Sequence, residues 1–457
     1  MRFTWSLIQT FSHQSSMRRA FMPAAAALVL VTVLSAAVNT HAAEAGNNDK
    51  DILLKAAHLF DGRSGQLSSP GVVLVRDGQI VAVGAKVELV EGARVIDLGD
   101  ATLMPGFIDA HTHITSDYNK DWGQAFYQGM LQFPAETALH AAHNAKVTVE
   151  AGFTTVRNVG SSDFIDIALR NAIDQGIAEG PRILAAGYAI GSTGGHCDGS
   201  PIPPETVALS GPLHGVCDGA DECRKAVRLQ MKYGADVIKI CASGGVLSES
   251  DPVDVPQLTP DELSAIIGEA HAWNRKVAAH SHGDVAARQA VQAGIDSIEH
   301  GSFLTADTLT LMKSKGVYLV PTRMTVKWVK KMAETYPAKI RDKALPAAAA
   351  HGDMMKTALS IGVPIAFGTD SAVYPHGLNA QEFGDYVELG MTPAQALMTS
   401  SQGAAKLLGV DAETGTLEVG KSADIVAVPG NVLDDIRATE HPLLVMARGQ
   451  LAKQPKD

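Results

Sequence analysis

A small set of side chains in this sequence has the types and the placement to hold metal. His111 and His113 end the run GFIDAHTH, His280 and His282 end KVAAHSH, and His300 ends IDSIEH. Lys239 lies inside ADVIKI, and Asp370 follows VPIAFGT. Residues two apart on a strand share a face, so His111 and His113 point to one side. Imidazoles with a carboxylate suit divalent ions of the zinc type. A lysine ammonium would be repelled by such ions. As a CO2-derived carbamate, Lys239 becomes an anion with two oxygens that can bridge two ions. A bridged water then has a depressed pKa, and one ion can polarise a carbonyl. Asp370 can accept the water proton and pass it to a leaving nitrogen. The expected chemistry is hydrolysis with two zinc ions as cofactors and Asp370 as the catalytic carboxylate. Each residue alone has a plainer use. A strand-end histidine is often a hydrogen-bonded rim residue, an aspartate after Gly-Thr is often a helix N-cap, and a buried lysine usually pairs with a charge. Their joint placement carries the inference.

Those residues need a scaffold that gathers strand ends. Eight strand-like runs occur at 106–111, 153–158, 182–187, 235–240, 276–280, 295–300, 316–321 and 363–369. Helical stretches such as 260–274 and 284–293 separate most of them. This alternation predicts an α/β fold, a (β/α)8 TIM barrel over residues 106–415, with its chemistry at the carboxyl ends of the strands. The alternative is an open doubly wound sheet, disfavoured because no Gly-rich phosphate fingerprint follows the first strand. Residues 44–105 and 416–457 read as short strands, with Asp77-Gly78 as a two-residue hairpin turn. Both chain ends are expected to build one small β-sandwich domain.

Composition narrows the class. Of 457 residues 46% are hydrophobic, enough for a large core, and the net charge of −11 removes the footprint of a nucleic-acid binder. Residues 1–43 carry Arg2, Arg18 and Arg19, no acidic residue, and the apolar run Ala20–Val38. This predicts an export signal peptide cleaved after Ala42 or Ala43. The string MRRAFM resembles a twin-arginine signal. A membrane anchor is the alternative, weakened by Pro23 and the many alanines. The expected product is a periplasmic protein with no stable membrane insertion after cleavage. Four cysteines exclude a disulfide scaffold, although Cys217 and Cys223 can close a small loop. The long 188–225 connection is expected to be a lid or a subunit contact.

The string MPGFIDAHTH, the lysine on the fourth strand, histidines ending the fifth and sixth, and GTD after the eighth resemble the amidohydrolase superfamily. The resemblance spans essentially the whole chain after the signal. More narrowly, AGFTTVRNVG (151–160), GSTGGHCDG (191–199), IKICASGGV (238–246) and AAHSHG (278–283) resemble the imidazolonepropionase-related branch. That branch includes Xaa-Pro dipeptidases and amidohydrolases that cleave ochratoxin A, the bacterial ones being the nearest resemblance. It implies a binuclear zinc centre with His111, His113 and Asp370 on one ion, His280 and His300 on the other, and carboxylated Lys239 bridging. It also implies a homo-oligomer, an octamer in some relatives. Asn158 stands where many relatives carry Asp and is expected to support rather than ligate.

His196, His282, Ser116 and Arg323 are the candidates for substrate binding, with His196 and Arg323 placed to meet a carboxylate. Tyr374 and His376 divide between pocket lining and loop packing, and His140, His143 and His271 read as structural. The small-molecule substrate is then an amide, an N-acyl amino acid or dipeptide with a hydrophobic C-terminal residue. Ochratoxin A, an amide of phenylalanine, fits that description. A cyclic amide or lactone hydrolase and a non-catalytic scaffold are the alternatives.

Overall fold

Buried apolar residues shape the first strands. In β1 (Asp51–Ala56) Leu53 and Leu54 are buried while Lys55 is not. β2 (His58–Phe60), β3 (Leu67–Ser68), β4 (Gly71–Arg76), β5 (Gln79–Val83), β6 (Arg94–Asp97) and β7 (Ala101–Pro105) follow. The β4–β5 turn is Asp77-Gly78, with φ of 48° and 78°, the left-handed pair that a type I′ hairpin demands. In this computed structural model, residues 51–455 are described apart from 88–89, 200–201, 204, 206–208 and 250. The segment 1–43, expected as a signal peptide, lies outside the described residues.

From Gly106 onward strands and helices alternate. β8 (Phe107–Thr112) precedes α1 (Trp122–Leu131) and α2 (Pro134–Glu150). β9 (Phe153–Asn158) leads to α3 (Ile165–Asp174), and β10 (Arg182–Ala185) to α4 (Ala220–Tyr233). β11 (Val237–Cys241) leads to α5 (Pro260–Ala272), and β12 (Lys276–Ser281) to α6 (Asp284–Ala293). β13 (Ser297–His300) leads to α7 (Ala306–Lys315), and β14 (Tyr318–Val320) to α8 (Arg323–Met332) and α9 (Ala338–Ile361). Helix ends follow local chemistry. Thr259 and Glu262 form a capping box before α5, with Pro260 as its first residue. α4, α6, α7 and α9 stop at Gly234, Gly294, Gly316 and Gly362, all left-handed.

All pairings among these strands are parallel, in ladders β10-β9-β8 and β11-β12-β13-β14. Isolated parallel bridges continue them: Ile190↔Ile240, Leu319↔Ile365 and Thr112↔Ser371. The run 363–369, expected as an eighth strand, lacks regular strand geometry. It still bonds both neighbours, since Leu319 N donates to Pro364 O and Ala110 N to Phe367 O. The arrangement is TIM-barrel-like, with apolar residues of strands and surrounding helices sharing one large core.

After the helices the chain returns to the first sheets. β15 (Ile425–Pro429), β16 (Leu444–Ala447) and β17 (Gln450–Lys453) extend β7, giving the order β17-β16-β15-β7-β2-β3. The other sheet runs β5-β4-β1-β6. Leu54, Val73 and Ile80 of the second sheet share a buried cluster with Leu103, Ile425 and Met446 of the first.

Arg182, at the start of β10, reaches out of the barrel strands toward this sheet. Its Nη1 donates to Asp424 Oδ2 at 3.0 Å, and Arg448 N donates to Asp424 Oδ1 at 2.9 Å. The Asp424 carboxylate is fully buried. Removing one partner of a buried pair strands the other. Asp424→Ala should therefore lower unfolding stability by about 3 kcal/mol in urea titration. A loss below about 1 kcal/mol would place the link among surface-like pairs.

Candidate active site

Every residue expected as a ligand opens onto one cavity of about 450 Å³ at the carboxyl ends of the parallel strands. Its lining includes His111, His113, Lys239, His280, His300 and Asp370. Ligand atoms of His111, His300 and Asp370 all lie within 4.8 Å of one another. Asp370 Oδ1 is 3.4 Å from His111 Nε2 and 3.3 Å from His113 Nε2. The His280 and His300 rings are 4.6 Å apart, and His300 is 4.9 Å from His111.

Hydrogen bonds fix which nitrogen of each ring keeps its lone pair. His111 Nδ1 lies 2.7 Å from Glu299 Oε2, so Nδ1 donates and Nε2 is free to ligate. His300 Nδ1 lies 2.8 Å from Thr322 Oγ1, whose own proton goes to Pro321 O, so again Nε2 is free. His280 Nε2 donates to Gly244 O at 3.2 Å, which leaves Nδ1 free. Burial, helped by neighbouring imidazoles, pushes His280 and His300 well below the usual imidazole range. They stand as neutral donors at neutral pH. His300, Thr322 and Asp370 have φ of 67°, 50° and 60°, a left-handed conformation that side chains seldom adopt and that gathers at working sites.

Electrostatics distinguish the remaining groups. Burial lowers the Lys239 amine to about 8, against the pull of Glu299 and Asp370. Burial opposes the charge on Asp370, but His111 and His113 hold it well below the usual carboxylate range. The same contest at Glu299, with Arg157 and His111 prevailing, holds it down to about 2. Arg157 Nη2 donates to Glu299 Oε1 at 2.9 Å, and both side chains are essentially inaccessible to water. Asp109 accepts from Thr369 Oγ1 at 2.5 Å and Asn379 Nδ2 at 2.9 Å, tying the Asp370 turn to β8. Burial lifts Asp109 to about 6.

Glu299, Arg157, Asp109 and Thr322 were missed in the sequence. Three of them leave a trace, a charged residue inside an apolar strand run, and such a residue needs a buried partner. Asn158 Oδ1 accepts from Ile114 N at 2.7 Å, just past His113.

The substrate candidates divide. His196, His282 and Ser116 line the cavity. His282 Nδ1 is 2.9 Å from Ser302 Oγ. Arg323 is placed elsewhere. It opens α8 with its peptide N–H on Glu382, and its guanidinium lies beside Gly352 of α9, so it does not line the cavity. His196 is inside, but burial lowers it to about 4, and its Nδ1 is 2.9 Å from Ser248 Oγ, which donates onward to Gly245 O. A neutral ring committed in this way is poorly suited to meet a carboxylate. Tyr374 is buried outside the cavity lining, and His376 Nε2 donates to Ser116 O at 2.8 Å. The opposite wall is apolar: Val246, Leu247, Val326, Val329, Ala344 and Ala347. Lys343 of α9 holds the loop carrying Val246 and Leu247, donating to the carbonyls of Gly245, Ser248 and Asp251.

Comparison with known proteins agrees with this geometry. The sequence profile of the amidohydrolase family matches residues 102–452. Ochratoxinase of Aspergillus niger is 34% identical over 372 residues, which cover 77% of this chain and 76% of that protein. The crystal structure of a Xaa-Pro dipeptidase with bound methionine in the active site is 37% identical and superposes with a TM-score of 0.83, covering 88% of this chain and 99% of that one. The crystal structure of A. niger ochratoxinase is 31% identical with a TM-score of 0.78, covering 89% and 96%.

Glu299 does not touch the cavity, yet it fixes the His111 ring. Glu299→Gln should weaken divalent-metal retention about 10- to 100-fold, the usual effect of losing a residue that orients a ligand. Metal content after dialysis against graded chelator, with circular dichroism as a check on folding, measures this. Unchanged retention would remove Glu299 from the metal site.

Proposed function

The chain belongs to the amidohydrolase family, hydrolases that act on C–N bonds, and from that premise we propose that it is a two-metal enzyme cleaving the amide bond of N-acyl amino acids and dipeptides with a hydrophobic C-terminal residue. One observation carries the proposal: a single cavity gathers four histidines and an ionised aspartate from strand ends together with an apolar wall. In this reading His111, His113 and Asp370 would hold one zinc ion, and His280 and His300 would hold the other through the lone pairs that their hydrogen bonds leave free. Lys239, as a carbamate, would add a further anionic ligand. Its buried amine, lowered to about 8, is accessible as the free base that adds to CO2 and releases a proton. Bound ions of this type would supply Lewis acidity at the carbonyl and acidify water.

The chain's own groups do the rest. Asp370 is ionised, so its carboxylate can accept the proton of the attacking water and deliver it to the leaving amide nitrogen. Val326, Val329, Leu247 and the small Ala344 and Ala347 leave room for a large apolar side chain, and burying one there is favourable by about 2 kcal/mol. Lys239 is the one lysine or arginine lining the cavity among the described residues. We therefore assign recognition of the substrate carboxylate to neutral hydroxyls of the lining such as Ser116 and Ser302, with His196 and His282 shaping the pocket rather than supplying charge. Ochratoxin A, an amide of phenylalanine, is a candidate substrate of this class.

Three further readings belong here. The isolated bridges support a closed (β/α)8 barrel with 363–371 as its eighth strand, and the shared cluster supports a β-sandwich of the outer sheets. Two disulfides support export to the periplasm, because disulfides persist in oxidising compartments. Exposed Tyr127, Met130, Leu131 and Phe133 support a homo-oligomer.

The purified protein should release phenylalanine from N-acetyl-L-phenylalanine and from ochratoxin A, followed by chromatography. The C-terminal amide of the same compound should be cleaved more slowly. Cleavage of carboxylate-free analogues alone would overturn the substrate assignment. Lys239→Ala should lose both metal and turnover, with short carboxylic acids restoring part of each. Full turnover in Lys239→Ala would remove the bridge. Asp370→Asn should keep the fold and lower kcat by about 10²- to 10⁴-fold, as loss of a general base does.

A further inference from the structure

The loop after β10 carries His196 into the cavity, and its anchoring is unusual. Cys197, the next residue, is disulfide-bonded to Cys241, with a Cα–Cα distance of 5.7 Å. Cys241 is the last residue of β11, two positions after Lys239, and so lies on the same face of that strand. Both cysteines line the cavity together with His196 and Lys239. The bond therefore joins the His196 loop directly to the strand that bears the central lysine.

The His196 ring is closely packed. It lies 4.3 Å from the His280 ring at an interplanar angle of 30°. It also meets the backbone of Gly245 so closely that a Cβ there would lie 2.1 Å from His196 Cε1. Room for the disulfide is made in the same way, since a Cβ at Gly191 would lie 2.8 Å from the Cys197 Cβ. Polar contacts complete the seat. His196 N donates to Gln257 Oε1 at 2.8 Å, Gln257 Nε2 donates to Asp251 Oδ2 at 2.9 Å, and Gly245 N donates to the same oxygen at 2.8 Å. Without the disulfide, the cavity end of the loop would be held to β11 and β12 by hydrogen bonds and ring contact alone among the described residues. Such contacts open locally far more readily than a covalent link.

We propose that the Cys197–Cys241 disulfide is a positioning link for this active site: it holds His196 against His280 and thereby fixes the wall that orients the substrate's scissile amide. The second disulfide, Cys217–Cys223, closes a short turn farther along the same connection, and neither of its cysteines lines the cavity. The link acts through His196 rather than through the metal ligands, because Lys239 stays within the β11 ladder whether or not the bond is made. The inference rests on the reading of this cavity as the amide-hydrolysing site.

The test uses the whole protein. Peptide mapping without reduction should find Cys197 joined to Cys241, and free thiols at both would overturn the link. Cys197→Ala/Cys241→Ala should make His196 react several-fold faster with diethyl pyrocarbonate, read by peptide mass spectrometry. An unchanged rate would overturn the proposal, and this arm needs no substrate. Kinetics on N-acetyl-L-phenylalanine then form a double-mutant cycle with His196→Ala. The cysteine substitutions should lower kcat/KM about 10-fold when His196 is present, within what an ångström of misplacement costs. In the His196→Ala background they should lower it less than about 2-fold, with metal content equal throughout. Equal losses in both backgrounds would mark a merely structural bond. Should the double substitution fail to fold, phosphine-reduced and alkylated protein is read in the same way. Absence of turnover in the unaltered protein, with the modification result as expected, would defeat the functional reading and leave the positioning link standing.

Discussion

The buried Glu299 carboxylate is the constraint on which the site depends. It sits on β13 between Arg157 of β9 and His111 of β8, so that side chains of three parallel strands meet at one buried point. An ionised carboxylate in that setting is tolerable only when its oxygens are fully used, and here Ser297 Oγ donates to it as well. The consequences run outward. Because Glu299 accepts the hydrogen bond from Nδ1–H, His111 offers Nε2 to the cavity. Arg157 Nε also donates to Ala110 O, so the same charge network pins the backbone just before the ligand. β13 is fixed in turn, and His300, the residue after Glu299, leaves it in a left-handed conformation that directs it to the same centre.

A second constraint concerns the division of the cavity. Strand ends supply the polar donors, whereas α8, α9 and the loop carrying Val246 and Leu247 supply most of the apolar surface. The two halves are built by different means. The donors sit on rigid hydrogen-bonded strands and are ordered by buried partners. The apolar wall sits on elements whose position depends on Lys343 and on the 188–225 connection, so it can vary without disturbing the donors. A fold of this kind keeps one chemistry while changing what it recognises.

How far the sequence discloses this arrangement follows from where each partner lies. That the candidate ligands would meet in one cavity was legible because strand periodicity places them: His111 and His113 two apart, His280 and His300 at the ends of runs. The hairpin at Asp77-Gly78 was legible because only one turn type suits that pair there. Glu299 was not, since its role depends on Arg157, 142 residues away, brought near by barrel register alone. Arg323 was misassigned for a similar reason. Its position just past a strand is correct, but it begins a helix, and the helix turns the guanidinium toward α9. Cys217 and Cys223, separated by 6, were paired by proximity in the chain, whereas Cys197 and Cys241, separated by 44, needed the fold.

The sheet that joins both ends of the chain sets an order of events during synthesis. β7 runs straight into β8, the strand that bears His111, and β7 is completed by β15. As the chain leaves the ribosome, more than three hundred residues separate these strands. Until the last segment emerges, the edge of β7 is an unpaired template and the foot of β8 has no finished support. Truncation near the carboxyl end, far from any side chain of the cavity, would be felt first at the strand that carries His111.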